Sequence, residues 1–182
     1  TLAMDEGFKG RNAARFDRNS ALVLRTSFNF VSGPGVDGLS FCLRSKRELA
    51  FDTLFSTLGG FGDAFALHYY SFYDDISVVS DGSDMRANPP SLANPGSNWT
   101  HFCVTTAPGG KTILYVNSAR IAEKEAPTTQ PTSTLDFALG GSVDNELYTQ
   151  TSSDRSFGGL LDDVILFGRQ LSDSEVGHLY NV

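Results

Sequence analysis

The chain has 182 residues, the length of one domain, so we expect a single domain over residues 1–182. Lys and Arg number 14 and Asp and Glu number 21, which gives a net charge of −7 and argues against a nucleic-acid partner or an anionic membrane surface. The hydrophobic fraction of 40% excludes intrinsic disorder. The longest apolar runs have only the length of strands, so we expect no membrane insertion by this domain.

Short runs rich in β-branched and aromatic residues recur along the chain, separated by Gly, Pro, Asn, Ser and Asp. Many of them alternate apolar with polar residues, as around Leu39, Phe41 and Leu43, which is the period of a half-buried strand. Strands at short spacing with turns between them predict an all-β sandwich. The predicted strands are residues 21–25, 39–45, 52–58, 64–70, 76–80, 99–106, 112–118, 135–140 and 160–167.

Segments rich in turn-forming residues separate several of these strands. Residues 108–111 (PGGK) lie between two predicted strands and predict a hairpin connection. Residues 81–95 and 126–133 are polar and contain Pro, so they predict surface loops. The acidic residues in and just before the first of these loops are expected to be surface charge: Asp74, Asp75, Asp81 and Asp84.

One helix is predicted, near the end of the chain. Ser172 with Glu175 three residues later forms a capping-box pattern, and acidic residues suit the first turn of a helix. Val176, Leu179 and Tyr180 then fall on one helical face. We expect this face to pack onto the sandwich.

Two features bear on the cellular compartment. Cys42 and Cys103 are the two cysteines of the chain, and they either form a disulfide or remain buried thiols. Asn98, followed by Trp99 and Thr100, begins an N-glycosylation sequon. The chain begins at Thr1 rather than Met, which indicates a mature or trimmed chain.

Several segments together resemble a known family. Residues 41–43 (FCL), 99–103 (WTHFC), 157–164 (FGGLLDDV) and 171–176 (LSDSEV) have an order and spacing similar to those of the pentraxin and laminin-G-like group. Residues 12–16 (NAARF) are also typical of its opening. This group consists of concanavalin A-like jelly rolls. The resemblance implies a two-sheet antiparallel jelly-roll sandwich with one short C-terminal helix.

The resemblance also bears on the cysteines. Cys42 and Cys103 have a spacing similar to that of the pentraxin disulfide, so the resemblance favours the bonded state over two free thiols. In the chain-entropy model, a bond that closes a loop of about 60 residues stabilises the fold by about 4 kcal/mol.

A calcium site is a second implication of the resemblance. Asp63 and Asp144 match two Asp positions of the pentraxin calcium ligands, Asp154 falls where the last Gln would be, and Glu146 could serve only with a different geometry. Ca²⁺ prefers several oxygen ligands of this kind. We expect one calcium ion or none, and the alternative is that these residues are ordinary solvated loop carboxylates.

The sequence contains no recognisable pattern of catalytic residues. The three histidines are scattered, and no run of alternating carboxylates of the glycosidase type occurs. Asp162 and Asp163 lie inside an apolar strand, so one of them must face the core or a neighbouring loop, where a carboxylate needs hydrogen bonds. The family resemblance implies that this residue tethers a loop rather than acting as a catalyst. Phe72 and Tyr73 could stack on a sugar or a choline group, although core packing is the alternative for that aromatic run.

These observations predict a non-enzymatic domain, either secreted or in the extracellular part of a membrane protein. The first hypothesis is calcium-assisted binding of glycans or phosphate-bearing head groups. The second is a protein-interaction or adhesion domain of a receptor without a functional calcium site. A homo-oligomer and a place within a larger receptor both remain open, and a carbohydrate-active enzyme of this fold is the remaining alternative.

Overall fold

The computed structural model describes residues 3–17, 22–24, 38–47, 51–57, 66–70, 75–80, 83–88, 98–126, 137–141 and 157–182. Within these ranges the chain forms strands β1 to β13, a 3-10 turn at Phe8–Gly10 and helix α1 at Asp173–Asn181. The strands are β1 Ala3–Glu6, β2 Asn12–Phe16, β3 Leu22–Leu24, β4 Leu39–Arg47, β5 Phe51–Thr57, β6 Ala66–Tyr70, β7 Asp75–Ser80, β8 Ser83–Ala87, β9 Thr100–Thr106, β10 Lys111–Val116, β11 Ala119–Glu125, β12 Phe137–Leu139 and β13 Gly159–Phe167.

The strands form two antiparallel sheets, which confirms the predicted jelly-roll sandwich. The seven-stranded sheet has the order β1-β2-β13-β4-β9-β10-β11, and the six-stranded sheet has the order β3-β12-β5-β6-β7-β8. Each predicted strand segment overlaps one of these strands. The predicted hairpin at residues 108–111 joins β9 to β10. Among the described helices, none is long and apolar enough to cross a membrane.

One predicted loop is wrong in part. Residues 83–87 lie within the segment 81–95 that predicted a surface loop, but they form β8 at the edge of the six-stranded sheet. Met85 is buried in the core while its neighbours Asp84 and Arg86 are exposed. A single inward side chain on a polar edge strand gives little hydrophobic pattern, whereas the backbone pairing with β7 holds the strand in place.

The core lies between the two sheets. Phe41 of the seven-stranded sheet stacks on Phe55 of the six-stranded sheet with ring centroids 4.1 Å apart, and Phe16 contacts Phe157 edge-on at 6.2 Å. All four side chains are buried. Because burial of one such side chain stabilises a fold by about 1.5–3 kcal/mol, the contact between Phe41 and Phe55 helps to hold the two sheets face to face.

The C-terminal helix has the predicted cap. The backbone N–H of Glu175 donates to Ser172 Oγ at 3.4 Å, and the backbone N–H of Ser172 donates to Glu175 Oε2 at 2.9 Å. The ion pair with Arg169, followed by the bonds from Ser172, lowers the pKa of Glu175 to about 2. This reciprocal pair satisfies donors that the first turn of a helix leaves open.

Strand β13 contains a bulge at the acidic pair. The register against β4 shifts between Asp162 and Ile165, and Asp163 has a φ of 48°. A bulge of this kind changes the direction of side chains, and Asp tolerates the left-handed conformation better than most residues. Asp162 Oδ2 accepts the backbone N–H of Phe8 at 2.9 Å, which confirms the predicted tethering role.

Candidate functional site

The outer face of the seven-stranded sheet is covered by the C-terminal helix. Cys42 and Cys103 lie directly opposite each other on β4 and β9 and form a disulfide, as predicted. The disulfide forms a second apolar cluster with side chains from β10, the segment before α1 and α1 itself: Ile113, Tyr115, Leu171 and Val176. Leu179 is partly buried against the same cluster. This face therefore holds the helix and is not open to a ligand where the helix covers it.

Tyr115 links the sheet to the start of this helix. Its hydroxyl donates to Asp173 Oδ1 at 2.6 Å, and burial, together with this carboxylate, raises the pKa of Tyr115 to about 12. The phenol therefore stays protonated at physiological pH and continues to donate to Asp173. Its role is to position the first turn of α1.

Arg44 fixes the other end of the helix. Its side chain is only 2% exposed, and its Nε donates to Asp163 Oδ2 at 3.0 Å. Its Nη2 donates to the carbonyl oxygens of Leu179 at 3.1 Å and Tyr180 at 2.7 Å. A cation at the carbonyl end of a helix is also favoured by the helix dipole. We call Arg44, Asp163 and these two carbonyls the helix clamp.

His101 lies beside the helix clamp but does not have the properties of a general base. It is the cross-strand neighbour of Arg44 and is 3% exposed. Its Nδ1 is buried and has no hydrogen-bond partner within the described part of the chain. Burial, followed by the charge of Arg44, lowers the pKa of His101 to about 4, so the ring is neutral at physiological pH.

The outer face of the six-stranded sheet has a different character. On β6, β7 and β8 the side chains that alternate with the core residues are mainly polar. His68, Ser77 and Arg86 lie opposite one another across these strands, so they form one row on this face. Ala66, Val79 and Asp84 form the adjacent row.

Charged side chains meet at the β7–β8 end of this face. Ser77 Oγ donates to Asp84 Oδ1, and Arg86 Nε donates to Asp84 Oδ2 at 2.6 Å. Arg86 Nη1 lies 3.9 Å from Asp75 Oδ2, within ion-pair range but beyond hydrogen-bond distance. We call Asp75, Ser77, Asp84 and Arg86 the β7–β8 cluster.

Asp75 differs from its prediction as a surface charge. It is 9% exposed, because it is the first residue of β7 and pairs with Tyr70 of β6. Its Oδ1 is buried and has no hydrogen-bond partner among the described residues. Asp84 is exposed as predicted, while Asp74 and Asp81 lie outside the described residues.

Two chain segments depart from the same part of this outer face. Ser56 Oγ donates to the carbonyl oxygen of Gly141 at 3.0 Å, and Ser56 also lies opposite Ala66, the first residue of β6. The segment 58–65 follows Thr57, the last residue of β5 and the chain neighbour of Ser56, and the segment 142–156 follows Gly141. We call this meeting point the Ser56 junction.

The predicted calcium ligands belong to these two segments and lie outside the described residues. Asp63 is in segment 58–65, whereas Asp144, Glu146 and Asp154 are in segment 142–156. Within the described ranges, no group of three or more His, Cys, Asp or Glu side chains could hold a metal ion. The calcium site therefore remains a prediction, and so does any role of Phe72 and Tyr73, which also lie outside these ranges.

Asn98 is described and exposed, immediately before β9. Its accessibility is compatible with the predicted glycosylation, which remains a prediction.

The sequence profile of one family, described as the concanavalin A-like lectin/glucanases superfamily and related to laminin G domains, matches residues 45–177. The chain belongs to this superfamily. The match includes every strand of the six-stranded sheet except β3, and it includes the first part of α1. Comparison with curated protein sequences gives no match.

Solved structures show the same lectin-like fold at low sequence identity. Domain 4 of the extracellular arabinanase AbnA from Geobacillus stearothermophilus, in complex with arabinotriose, matches with a TM-score of 0.72 and 20% identity over 99% of this chain and 81% of that one. The SAP-like pentraxin of Limulus polyphemus matches with a TM-score of 0.66 and 15% identity over 91% and 83%. Domains LG4-5 of the mouse laminin alpha1 chain match with a TM-score of 0.66 and 15% identity over 88% and 44%.

The sequence did not reveal the β7–β8 cluster. The sequence predicts a strand at Ser77 but indicates no role for its side chain, and Arg86 lies within a predicted loop. The alternation of Asp84 and Arg86 around Met85 was the available signal, because it places both charges on the face opposite the core.

Proposed function

We propose that residues 1–182 form a single, non-enzymatic recognition domain that binds carbohydrate on the outer face of its six-stranded sheet. The observation that carries this proposal is the placement of the β7–β8 cluster and the Ser56 junction on that one face. The outer face of the other sheet is occupied by α1 where the helix packs. The outer face of the six-stranded sheet therefore carries polar side chains, and the segments 58–65 and 142–156 begin beside it. Polar groups that can fix the orientation of a ligand are a general feature of binding sites.

The comparison with the arabinanase domain supports a sugar as the ligand. That domain is described in complex with arabinotriose, and this chain matches 81% of its length. Fold similarity alone does not define a ligand, because function in such folds depends on the site. In the polar row on the six-stranded sheet, Arg86 is exposed and His68 is partly exposed, so these two side chains are accessible to sugar hydroxyls, whereas Ser77 is buried.

Calcium assistance is a further part of this proposal. Asp63, Asp144 and Asp154, with Glu146, would hold one Ca²⁺ between the segments that leave the Ser56 junction. The junction supports it, because a hydrogen bond from Ser56 brings the ends of both segments together. A bound Ca²⁺ would relieve the repulsion between carboxylates and could coordinate sugar hydroxyls or a phosphate-bearing head group.

The proposed setting is extracellular, either secreted or in the ectodomain of a larger protein. Disulfides persist mainly in oxidising compartments, and the bond between Cys42 and Cys103 supports this setting. Glycosylation at Asn98 would agree with it. Mass measurement of protein secreted from eukaryotic cells, before and after removal of N-glycans, would test the modification against an Asn98→Gln variant.

The experiment that tests the proposed function is binding to an array of immobilised oligosaccharides, with calcium and with chelator. We expect binding to a restricted set of glycans, and no release of reducing sugar from them. Loss of binding in chelator, with a lower melting temperature, would support the calcium site. Asp144→Asn should weaken this calcium response, whereas Glu123→Gln on the other sheet should not.

Absence of binding to every glycan on the array would contradict the proposal. A protein-interaction or adhesion function would then be preferred. Val164 and Ile165, adjacent on β13, favour this second candidate, because both are large apolar side chains that are exposed. Replacing both with Thr should then weaken capture of a protein ligand.

A further inference from the structure

The β7–β8 cluster contains a gap between two charged groups. Arg86 Nη1 and Asp75 Oδ2 are 3.9 Å apart, too far for a direct hydrogen bond. Asp75 Oδ1 is buried without a partner among the described residues, so a ligand can meet this carboxylate only at Oδ2, on a side chain that is 13% exposed. The Arg86 side chain is 49% exposed, so a ligand can approach the cluster from the Arg86 side.

The chemistry of these two groups determines what can join them. A guanidinium only donates hydrogen bonds, and an ionised carboxylate only accepts them. A group placed between them must therefore accept from Arg86 and donate to Asp75. A hydroxyl group does both, whereas a carboxylate or sulfate cannot donate and an ammonium group cannot accept.

The charge of the cluster leads to the same conclusion. Asp75 and Asp84 are two carboxylates, and both form ion pairs with Arg86. The three side chains therefore carry a net charge of −1. An anionic ligand would meet this net negative charge, on a chain whose overall charge is −7.

We propose that the β7–β8 cluster is a sugar subsite that binds a hydroxyl of a neutral sugar unit between Arg86 and Asp75 and discriminates against anionic sugars. This proposal rests on the proposed carbohydrate function and specifies its ligand class. Asp84 and Ser77 act as positioning residues, because Asp84 holds the Arg86 guanidinium at 2.6 Å while the buried Ser77 holds Asp84.

The subsite lies within reach of the Ser56 junction. Ser56, Ala66, Val79 and Asp84 are successive cross-strand partners from β5 to β8. Neighbouring strands are about 4.8 Å apart, so the two sites are separated by roughly 14 Å across the sheet. An oligosaccharide that crosses the strands could therefore contact both, with one sugar unit at the subsite.

The test compares matched variants on the same array, which carries neutral oligosaccharides and their carboxylated or sulfated counterparts. Arabinotriose, lactose and α2,3-sialyllactose are included as probes. Arg86→Gln should lower the affinity for the neutral glycans by roughly ten-fold, the effect expected for losing a charge-assisted hydrogen bond. Arg120→Gln removes a half-exposed arginine that is also ion-paired but lies on β11 of the other sheet, and it should change nothing.

Asp75→Asn tests the discrimination itself. The amide can donate a hydrogen bond and carries no charge, so the preference for neutral glycans over their anionic counterparts should narrow by roughly ten-fold. The titrations are made in chelator as well as calcium, so that an effect on the cluster is separated from one on the proposed calcium site. Melting temperatures of all variants show whether each one is folded.

The outcomes separate this inference from the proposed function. The inference is supported if the wild type binds neutral glycans, Arg86→Gln weakens this binding by roughly ten-fold, and Arg120→Gln leaves it unchanged. If both Arg86→Gln and Asp75→Asn bind glycans as the wild type does, the inference is overturned but the proposed function is not. A wild-type preference for anionic glycans also overturns the inference alone, whereas no glycan binding at all overturns both.

Discussion

Replacing Arg44 with Met should destabilise the domain more than any other arginine substitution tested alongside it. The guanidinium is buried in the helix clamp, where it binds the Asp163 carboxylate and the carbonyl oxygens of Leu179 and Tyr180. Methionine fills a similar volume with an unbranched apolar chain but supplies none of these donors. The variant therefore leaves two helix carbonyls without this donor and removes one of the two arginines that contact Asp163 Oδ2.

The expected loss is about 3 kcal/mol of the free energy of unfolding. Removing one partner of a buried ion pair costs about 3–5 kcal/mol. Here the loss should be at the lower end, because Asp163 keeps its 2.7 Å contact with Arg11 and its side chain is 24% exposed. For a domain of this size, the melting temperature should fall by roughly 6–12 °C.

Urea unfolding followed by tryptophan fluorescence and circular dichroism measures this loss. Trp99 is a suitable reporter because its ring contacts that of Phe8 at 6.4 Å, next to the 3-10 turn that lies over Arg44. Arg120→Met, at a half-exposed ion pair, is the matched control and should lose less than about 1 kcal/mol. A loss below 1 kcal/mol in Arg44→Met would refute the importance assigned to the helix clamp.

Three further outcomes follow from the helix and the sheet beneath it. Replacing Cys42 and Cys103 with Ala should lower the free energy of unfolding by about 4 kcal/mol, because the disulfide joins two residues that are 61 positions apart. An unchanged midpoint of urea unfolding would contradict this prediction. Ser172→Ala should cost about 1 kcal/mol by removing the cap of α1, whereas Ser174→Ala should have a smaller effect in the same urea titration. His101 has a folded-state pKa of about 4, below the unfolded value of 6.5, so its stabilising contribution is complete above pH 6.5 and is lost as the pH falls towards 4. Through this residue alone, the free energy of unfolding should fall by about 3 kcal/mol across that range. In the His101→Gln variant, the free energy of unfolding should change less steeply with pH than in the wild type. Equal slopes in the two proteins would contradict a buried, neutral His101 ring.

Sequence patterns predicted the central strands and the helix because both are encoded locally. Leu39, Phe41 and Leu43 face the core at alternate positions, as the sandwich requires. The cap of α1 needs only Ser172 and Glu175, which are three residues apart. Such features depend on neighbours in the chain, so they can be recognised without knowledge of the fold.

The features that were missed depend on distant contacts. Arg44 alternates with core residues like an outward-facing polar residue, yet the end of a helix more than a hundred residues later in the chain buries it. Edge strands such as β8 and β11 bury few side chains and so show little alternation. Asp75 and Arg86 meet only through the register of β7 with β8, which no local pattern defines.

The disulfide beneath α1 has a consequence for the dynamics of the domain. Cys42 is 1% exposed and Cys103 is not exposed, so a thiol reagent cannot reach either sulfur while the helix is docked. Reduction then requires a local opening in which α1 leaves the sheet. When opening and closing are fast, the reduction rate at a fixed concentration of reductant reports the equilibrium population of the undocked helix. The bond is thus a built-in probe of helix undocking, and its reduction should accelerate in Arg44→Met, which loosens the helix clamp, without any change at the sulfur atoms.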